Sequence, residues 1–271
     1  ETSFADSSDA AAMKAAIRPN TRMIMIEAVS NPTLRVADVT GIAELAAAHG
    51  ALLVVDNTFT TPAMFRPMQH GADIVINSIT KFLAGHSDVT LGYVAARDPG
   101  LRTAIYDAAV TWGTTPSPFD CWLAERGLHT FDLRFEKAQA TAAALADALA
   151  GRDGIRQVIY PGRADHPHHN RAGTLFGGQF GNMLSFEIEG GRDDVNSFVM
   201  NAGGIPFAPT LGDVGCTLSH PASSSHRALT TEGRAALGIS EGYFRLSVGI
   251  EPPELVLAEL DAALAAVRGE S

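Results

Sequence analysis

Short, nearly unbroken apolar runs alternate along the first half of the chain with segments whose apolar residues recur every three or four positions. That alternation is the signature of strand-helix-strand units and a mostly parallel sheet. RMIMIE (22–27), ALLVVD (51–56) and DIVINS (73–78) predict strands, and their continuous apolar character predicts cover on both faces. GIAELAAAHG (41–50) predicts a helix closed by Gly50. A short strand at 90–95 and helices at 100–109 and 117–127 follow, then a long Ala-rich amphipathic helix from Leu133 to Leu149. Beyond it, strands at 155–159, 181–187 and 243–248 interleave with helices at 192–201 and 253–267. The expected fold is α/β, with the mostly parallel sheet in residues 1–132 and a smaller α+β domain in residues 133–271. The boundary is expected inside or just before the long helix. Ligands of such sheets sit beyond the carboxyl ends of the strands, where Glu27, Asp56 and Ser78 fall.

With 271 residues, 46% of them hydrophobic, the chain can bury one substantial core and a satellite. A net charge of −10 and the absence of any basic run argue against nucleic acid as a partner. Cys121 and Cys216 match neither a metal spacing nor a redox pair and read as structural thiols in a reducing cytoplasm. No apolar run reaches the roughly 18 to 20 residues that cross a bilayer, and the opening ETSFADSSDA lacks the features of a signal peptide. A cytoplasmic protein without a membrane partner is expected. The start on Glu1 reads as a processed product or a fragment. The cluster HPHHN (166–170) has no carboxylate or cysteine partner in its pattern and is expected to be solvent-exposed, with no metal bound.

Candidate chemistry concentrates in VVDNTFTTPAMFRPMQHGADIVINSITKFLAGHSDV (54–89). Three lysines, Lys14, Lys81 and Lys137, stand against 17 arginines, so arginine serves almost wherever a positive charge suffices. Lys81 is the exception to explain, and an amine able to lose its proton and form an imine is what arginine cannot supply. Ser78 and Thr80 place hydroxyls beside it, in a loop suited to hydrogen-bond phosphate oxygens. Asp56, ending a buried strand, is suited to pair with a protonated pyridine nitrogen, although an Asp there is as often a turn former. Together these residues describe a site for pyridoxal 5'-phosphate. Asn31, in SNP (30–32), is either a turn residue or a donor to the cofactor's phenolic oxygen. Arg245, in FRLSVGIE (244–251), needs a partner in an apolar strand, either a structural carboxylate or the carboxylate of a substrate.

The segments EAVSNPTLRVADV, VVDNTFTTP, HGADIVINSITKFLAGHSDVTLG, RGLHTFDLR, TLSHPASSSH and FRLSVGIE carry a resemblance from about residue 22 to the end. The chain resembles the Cys/Met-metabolism family of pyridoxal-phosphate enzymes, which includes cystathionine γ-synthase, cystathionine γ-lyase, methionine γ-lyase and the O-acylhomoserine sulfhydrylases. The resemblance implies the fold-type I PLP-dependent transferase architecture. It implies that Lys81 is the Schiff-base lysine, that Asp56 faces the pyridine nitrogen and that Asn31 faces the phenolic oxygen. Ser78 and Thr80 would face the phosphate, and Thr210 and Arg245 the carboxylate of a small amino-acid substrate. The family usually carries Ser where Thr210 stands. His220 and His226 would shape the wall of the site rather than act as acid or base.

The implied activity is transsulfuration-type chemistry on sulfur amino acids or activated homoserine, by γ-elimination (a C–S lyase) or alternatively by γ-replacement. Pro209 stands where cystathionine-cleaving relatives often carry Glu, which favours a substrate without a distal amino group. Relatives carry a further N-terminal third, holding a phosphate loop, a tyrosine that stacks on the cofactor and an arm that reaches a neighbouring subunit. A fragment of a longer enzyme is therefore expected, or a catalytically silent homologue. A homo-oligomer, dimer or tetramer, is implied as well.

Overall fold

The computed structural model describes residues 1–270. A first sheet has the order β1 (Met23–Glu27), β2 (Leu52–Asp56), β3 (Ile74–Ser78) and β4 (Gly92–Ala96). The first three strands are parallel and β4 runs antiparallel to β3. Glu27 pairs in register with Asp56, and Asp56 with Ile76, so the carboxyl ends of the parallel strands lie side by side. Helices α1 (Ala10–Ala16), α2 (Val39–His49) and the short α3 (Thr61–Met64) accompany this sheet. Gly50 closes α2 at φ 63°, as its sequence predicts.

Cover on the two faces of this sheet is unequal. Ile24, Ile26, Leu53, Val55 and Val75 pack into the main core with Ile42 and Ala46 of α2. On the other face, α4 (Pro99–Trp112) reaches Val54, Ile74 and Ala96 only through Leu101 and Ile105. Met23 and Met25 alternate with the buried Ile24 and Ile26 and stay exposed, as does Val94. The expectation of cover on both faces therefore fails at β1, where the burial pattern has period two.

After α5 (Pro118–Leu128) comes α6 (Phe131–Leu149), 19 residues long. Its first turns put Phe131 and Phe135 into the main core, whereas Ala142, Leu145, Ala146 and Leu149 belong to a second core. That second core lies under an antiparallel sheet of order β5 (Ile155–Ile159), β6 (Met183–Ile188), β8 (Tyr243–Ser247) and β7 (Thr217–Ser219). Helices α8 (Arg192–Asn201) and α10 (Pro253–Val267) complete it; α7 (His169–Leu175) and α9 (Thr231–Ala236) lie in the connections. The architecture is α/β with an α+β second unit, as the pattern implies. The short elements α1, α3, α7, α9 and β7 lack enough turns to carry a readable period.

The histidine cluster corrects its expectation. His166 is buried, and its Nδ1 accepts the His168 N–H at 3.1 Å. His168 Nδ1 in turn accepts the Val36 N–H at 3.1 Å, while Arg171 donates to the carbonyls of Ser8 and Val36. The cluster thus ties the segment before α7 to the loop after β1, because unprotonated ring nitrogens supply acceptors to backbone donors. Among the described residues no group of three or more His, Cys, Asp or Glu side chains is arranged to hold a metal.

Burial, then His168, lowers the His166 pKa to about 4; burial, then Arg171, lowers that of His168, with Asp6, Arg35, Asp165 and His169 also facing the pair. The unfolded chain therefore binds more protons than the folded one between roughly pH 4 and 6.5. Stability is expected to fall as pH drops through that window. Urea unfolding at pH 7 and pH 5 should give a smaller loss for His168→Asn, which keeps an acceptor but does not titrate, than for the unaltered chain.

Candidate active site

The chain leaves β3 through one wide turn, Ile79–Leu83, in which Lys81 has φ −90° and ψ −131° and breaks the helical path. The lysine side chain leaves at that break, and its Nζ donates to Thr210 Oγ1 at 3.1 Å. Burial, and next the positive charge of Arg245, hold the Lys81 amine below the ordinary lysine range. A larger neutral fraction is what a nucleophilic amine needs.

Arg245 lies in the middle of β8 and is only 4% exposed. Its Nη1 donates to Asn31 Oδ1 at 2.8 Å and its Nη2 to the Thr210 carbonyl at 2.6 Å. Its Nε has no partner, and no carboxylate pairs with it among the described residues. Burial lowers the guanidinium to about 10, which still leaves it charged at neutral pH. Of the two partners its sequence allowed, a structural salt bridge is absent among the described residues. A buried, charged and unpaired guanidinium is costly unless an anion completes it.

Asn31 is thereby brought to Arg245 and, through Thr210, to Lys81. Its backbone N–H donates to Glu27 Oε2 at 2.9 Å, and its Nδ2 has no partner among the described residues. Next to it, the Pro32 carbonyl accepts from Ser185 on β6 and Tyr243 on β8, each at 2.9 Å. These bonds fasten the loop after β1 to the second sheet and draw residues from both units together. Burial raises the Glu27 carboxyl; the Asn31 N–H opposes this, and the neighbouring Asp56 charge adds to it.

Asp56 does two things at once. Its Oδ1 accepts the Thr58 N–H at 2.9 Å, the turn that its sequence allowed, and Oδ2 has no partner among the described residues. Ser78 donates its backbone N–H to Thr58 Oγ1 at 3.0 Å, and its own hydroxyl makes no hydrogen bond among the described residues. The Thr80 hydroxyl is engaged: it donates to the Leu91 carbonyl at 3.0 Å and accepts the Leu91 N–H at 2.9 Å. Thr80 thus stitches the lysine turn to the approach to β4, and it can donate to a phosphate only by exchanging that bond. His220 is buried with both ring nitrogens occupied, by Ser223 Oγ at 2.6 Å and the Glu241 carbonyl at 2.7 Å.

The donor set fits pyridoxal phosphate: a depressed amine, a free carboxylate oxygen at a strand end, a free hydroxyl and a free amide. Sequence reading missed Thr58, Arg134 and Gly212. Gly212, at φ 85°, lies against the lysine turn so closely that a Cβ there would sit 2.6 Å from the Phe82 nitrogen. Its sequence signal, a glycine two residues after Thr210, does not reveal a contact across more than 120 residues of chain.

The profile of the Cys/Met metabolism PLP-dependent enzymes matches residues 1–265. The cystathionine beta-lyase MetC of Bacillus subtilis is 41% identical over 264 residues, which is 97% of this chain and 67% of that protein. The O-succinylhomoserine sulfhydrylase of Pseudomonas aeruginosa is 40% identical over 260 residues, 96% of this chain and 64% of that protein. A crystal structure of cystathionine gamma synthase from Xanthomonas oryzae pv. oryzae in complex with cystathionine superposes with a TM-score of 0.93 at 43% identity. The superposition covers 98% of this chain and 69% of that one. The chain therefore spans about two thirds of the length of these relatives.

Proposed function

The chain belongs to the Cys/Met metabolism family of PLP-dependent enzymes, and we propose that it supplies the lysine and the carboxylate site of an enzyme acting on sulfur amino acids or activated homoserine by γ-elimination. The observation that carries this reading is Arg245, buried and without a carboxylate partner, tied through Thr210 to the Lys81 amine. A substrate carboxylate is the anion that completes it.

Pyridoxal phosphate, when bound, supplies a ring that withdraws electrons from the substrate carbon it activates. Lys81 is the residue that would hold it. Asp56 would offer Oδ2 to the pyridine nitrogen, Asn31 its Nδ2 to the phenolic oxygen, and Ser78 and Thr80 their hydroxyls to the phosphate. Arg245 orients the amino acid by its carboxylate, with the Thr210 hydroxyl beside it. The Lys81 amine, kept partly neutral by burial and by Arg245, then takes the proton from the α carbon. Holding carboxylate and base on one hydrogen-bonded chain fixes their separation, which lowers the entropic part of the barrier.

γ-Replacement is the second reading, supported by the 43% identity to a cystathionine gamma synthase. Pro209, exposed and uncharged next to Thr210, supports a substrate without a distal amino group in either case. The assay that separates the readings supplies the full chain and pyridoxal phosphate with methionine, cystathionine, or O-succinylhomoserine plus a thiol. Elimination is expected to release ammonia and a 2-oxo acid, whereas replacement yields a thioether without ammonia. Neither product from any substrate would leave a silent homologue. A cytoplasmic homo-oligomer, dimer or tetramer, is part of the same reading, supported by the exposed aromatic residues Tyr106, Trp112, Phe119 and Trp122 on α4 and α5.

A further inference from the structure

We propose that Arg134 is a positioning residue for Lys81: its guanidinium gathers the carbonyls that follow the lysine and fixes the turn from which the amine projects. Arg134 lies in the first turn of α6. Its Nη1 donates to the Phe82 carbonyl at 2.9 Å, and its Nη2 to Leu83 at 3.1 Å, Ala84 at 3.5 Å and Gly127 at 2.8 Å. Its Nε is oriented by Thr130 Oγ1 at 3.1 Å. Among the described residues no carboxylate forms an ion pair with it. Four of its five hydrogen bonds thus go to backbone carbonyls.

The need for such a clamp follows from the break at Lys81. A wide turn that ends two residues later leaves carbonyls without following N–H groups. Among the described residues, Arg134 is the sole hydrogen-bond partner of the Phe82 and Leu83 carbonyls. A planar fork with donors on two sides can serve several carbonyls at once, which a lysine ammonium at the end of a flexible stem cannot.

The surrounding glycines make room for it. Gly85, at φ 76°, would drive a Cβ into the guanidinium, and a Cβ on Gly127 would strike the Ala84 backbone. An apolar contact reinforces the polar one. Phe135, the next residue on α6, meets Phe82 edge-on with ring centroids 6.2 Å apart. The turn is held from α6 on one side and by Gly212 and Thr210 on the other.

This inference rests on the reading of Lys81 as the cofactor lysine, but its test does not need the cofactor. With three lysines in the chain, competitive labelling by an amine-reactive anhydride across pH, read by peptide mass spectrometry, follows Lys81 against Lys14 and Lys137 as internal references. In the unaltered chain Lys81 should titrate below the ordinary lysine range. A loosened turn returns the amine to water and away from Arg245, so Arg134→Lys, which keeps the charge, should raise the Lys81 titration toward the ordinary lysine range. Thr130→Val, which removes only the group that orients Nε, should raise it by less. Thermal melting of the same proteins checks that both variants fold, and if Arg134→Lys does not, Thr130→Val decides.

An unaltered Lys81 titration in the folded variants would overturn the proposal and leave Arg134 a structural cap. The reading of Lys81 itself is judged separately, by whether pyridoxal phosphate gives the unaltered chain a saturable absorbance band near ~420 nm. Absence of that band together with a shifted titration would sink the cofactor reading and keep the clamp.

Discussion

Lys81→Ala is expected to abolish the saturable absorbance near ~420 nm that pyridoxal phosphate gives the unaltered chain, because that band requires an imine with a protein amine. Lys14 and Lys137 offer no substitute: neither makes contact with Asp56, Thr210 or Arg245 in the hydrogen bonds of the site. Turnover should fall by at least roughly a thousandfold, since under the proposed function the same amine would serve as attachment point and proton acceptor. Borohydride reduction of the loaded chain followed by peptide mapping gives a second readout, with the added mass expected on the Lys81 peptide. A band of normal intensity in Lys81→Ala, or the mass on another lysine, would remove the central claim.

Arg245→Lys should leave that absorbance in place and weaken the grip on the substrate. Asn31 Oδ1 and the Thr210 carbonyl hold the guanidinium plane in one orientation, so that its remaining N–H donors can face a carboxylate in a bidentate manner. A lysine ammonium keeps the charge but loses the fork and cannot satisfy Asn31 and Thr210 together. Truncating one partner of a buried, hydrogen-bonded charge pair costs about 2 to 5 kcal/mol, a factor of roughly 30 to several thousand. The expected result is a rise of that order in KM, with kcat reduced much less. Equal KM values for the variant and the unaltered chain would show that substrate carboxylates bind elsewhere.

Much of this site is legible in the sequence where chemistry and position coincide. Lys81 stands out because arginine replaces lysine nearly everywhere else, and Asp56 and Ser78 because strands in such sheets present their carboxyl ends to ligands. Arg245 is legible as a charge in an apolar strand, but not as a charge without a carboxylate, since pairing is a matter of three-dimensional neighbours. The same limit hides the Thr80 bond to Leu91, Gly212 against the lysine turn and the burial of His166. The half-open cover of β1 is hidden for a related reason: an apolar run records what a strand tolerates, while exposure depends on what lies above it.

The helix α6 has a consequence for how the molecule can be divided. Phe131 and Phe135 anchor one end in the first core, and Leu145 and Leu149 the other end in the second. A cut at 132/133 would part Phe131 from Phe135, rings stacked 5.5 Å apart, and would take Arg134 away from the carbonyls after Lys81. Phe135→Ala alone should cost about 3 to 5 kcal/mol, the range for emptying a buried aromatic site. The two units therefore behave as interdependent parts rather than exchangeable modules: a hybrid enzyme assembled from relatives must inherit the helix together with the lysine turn it grips.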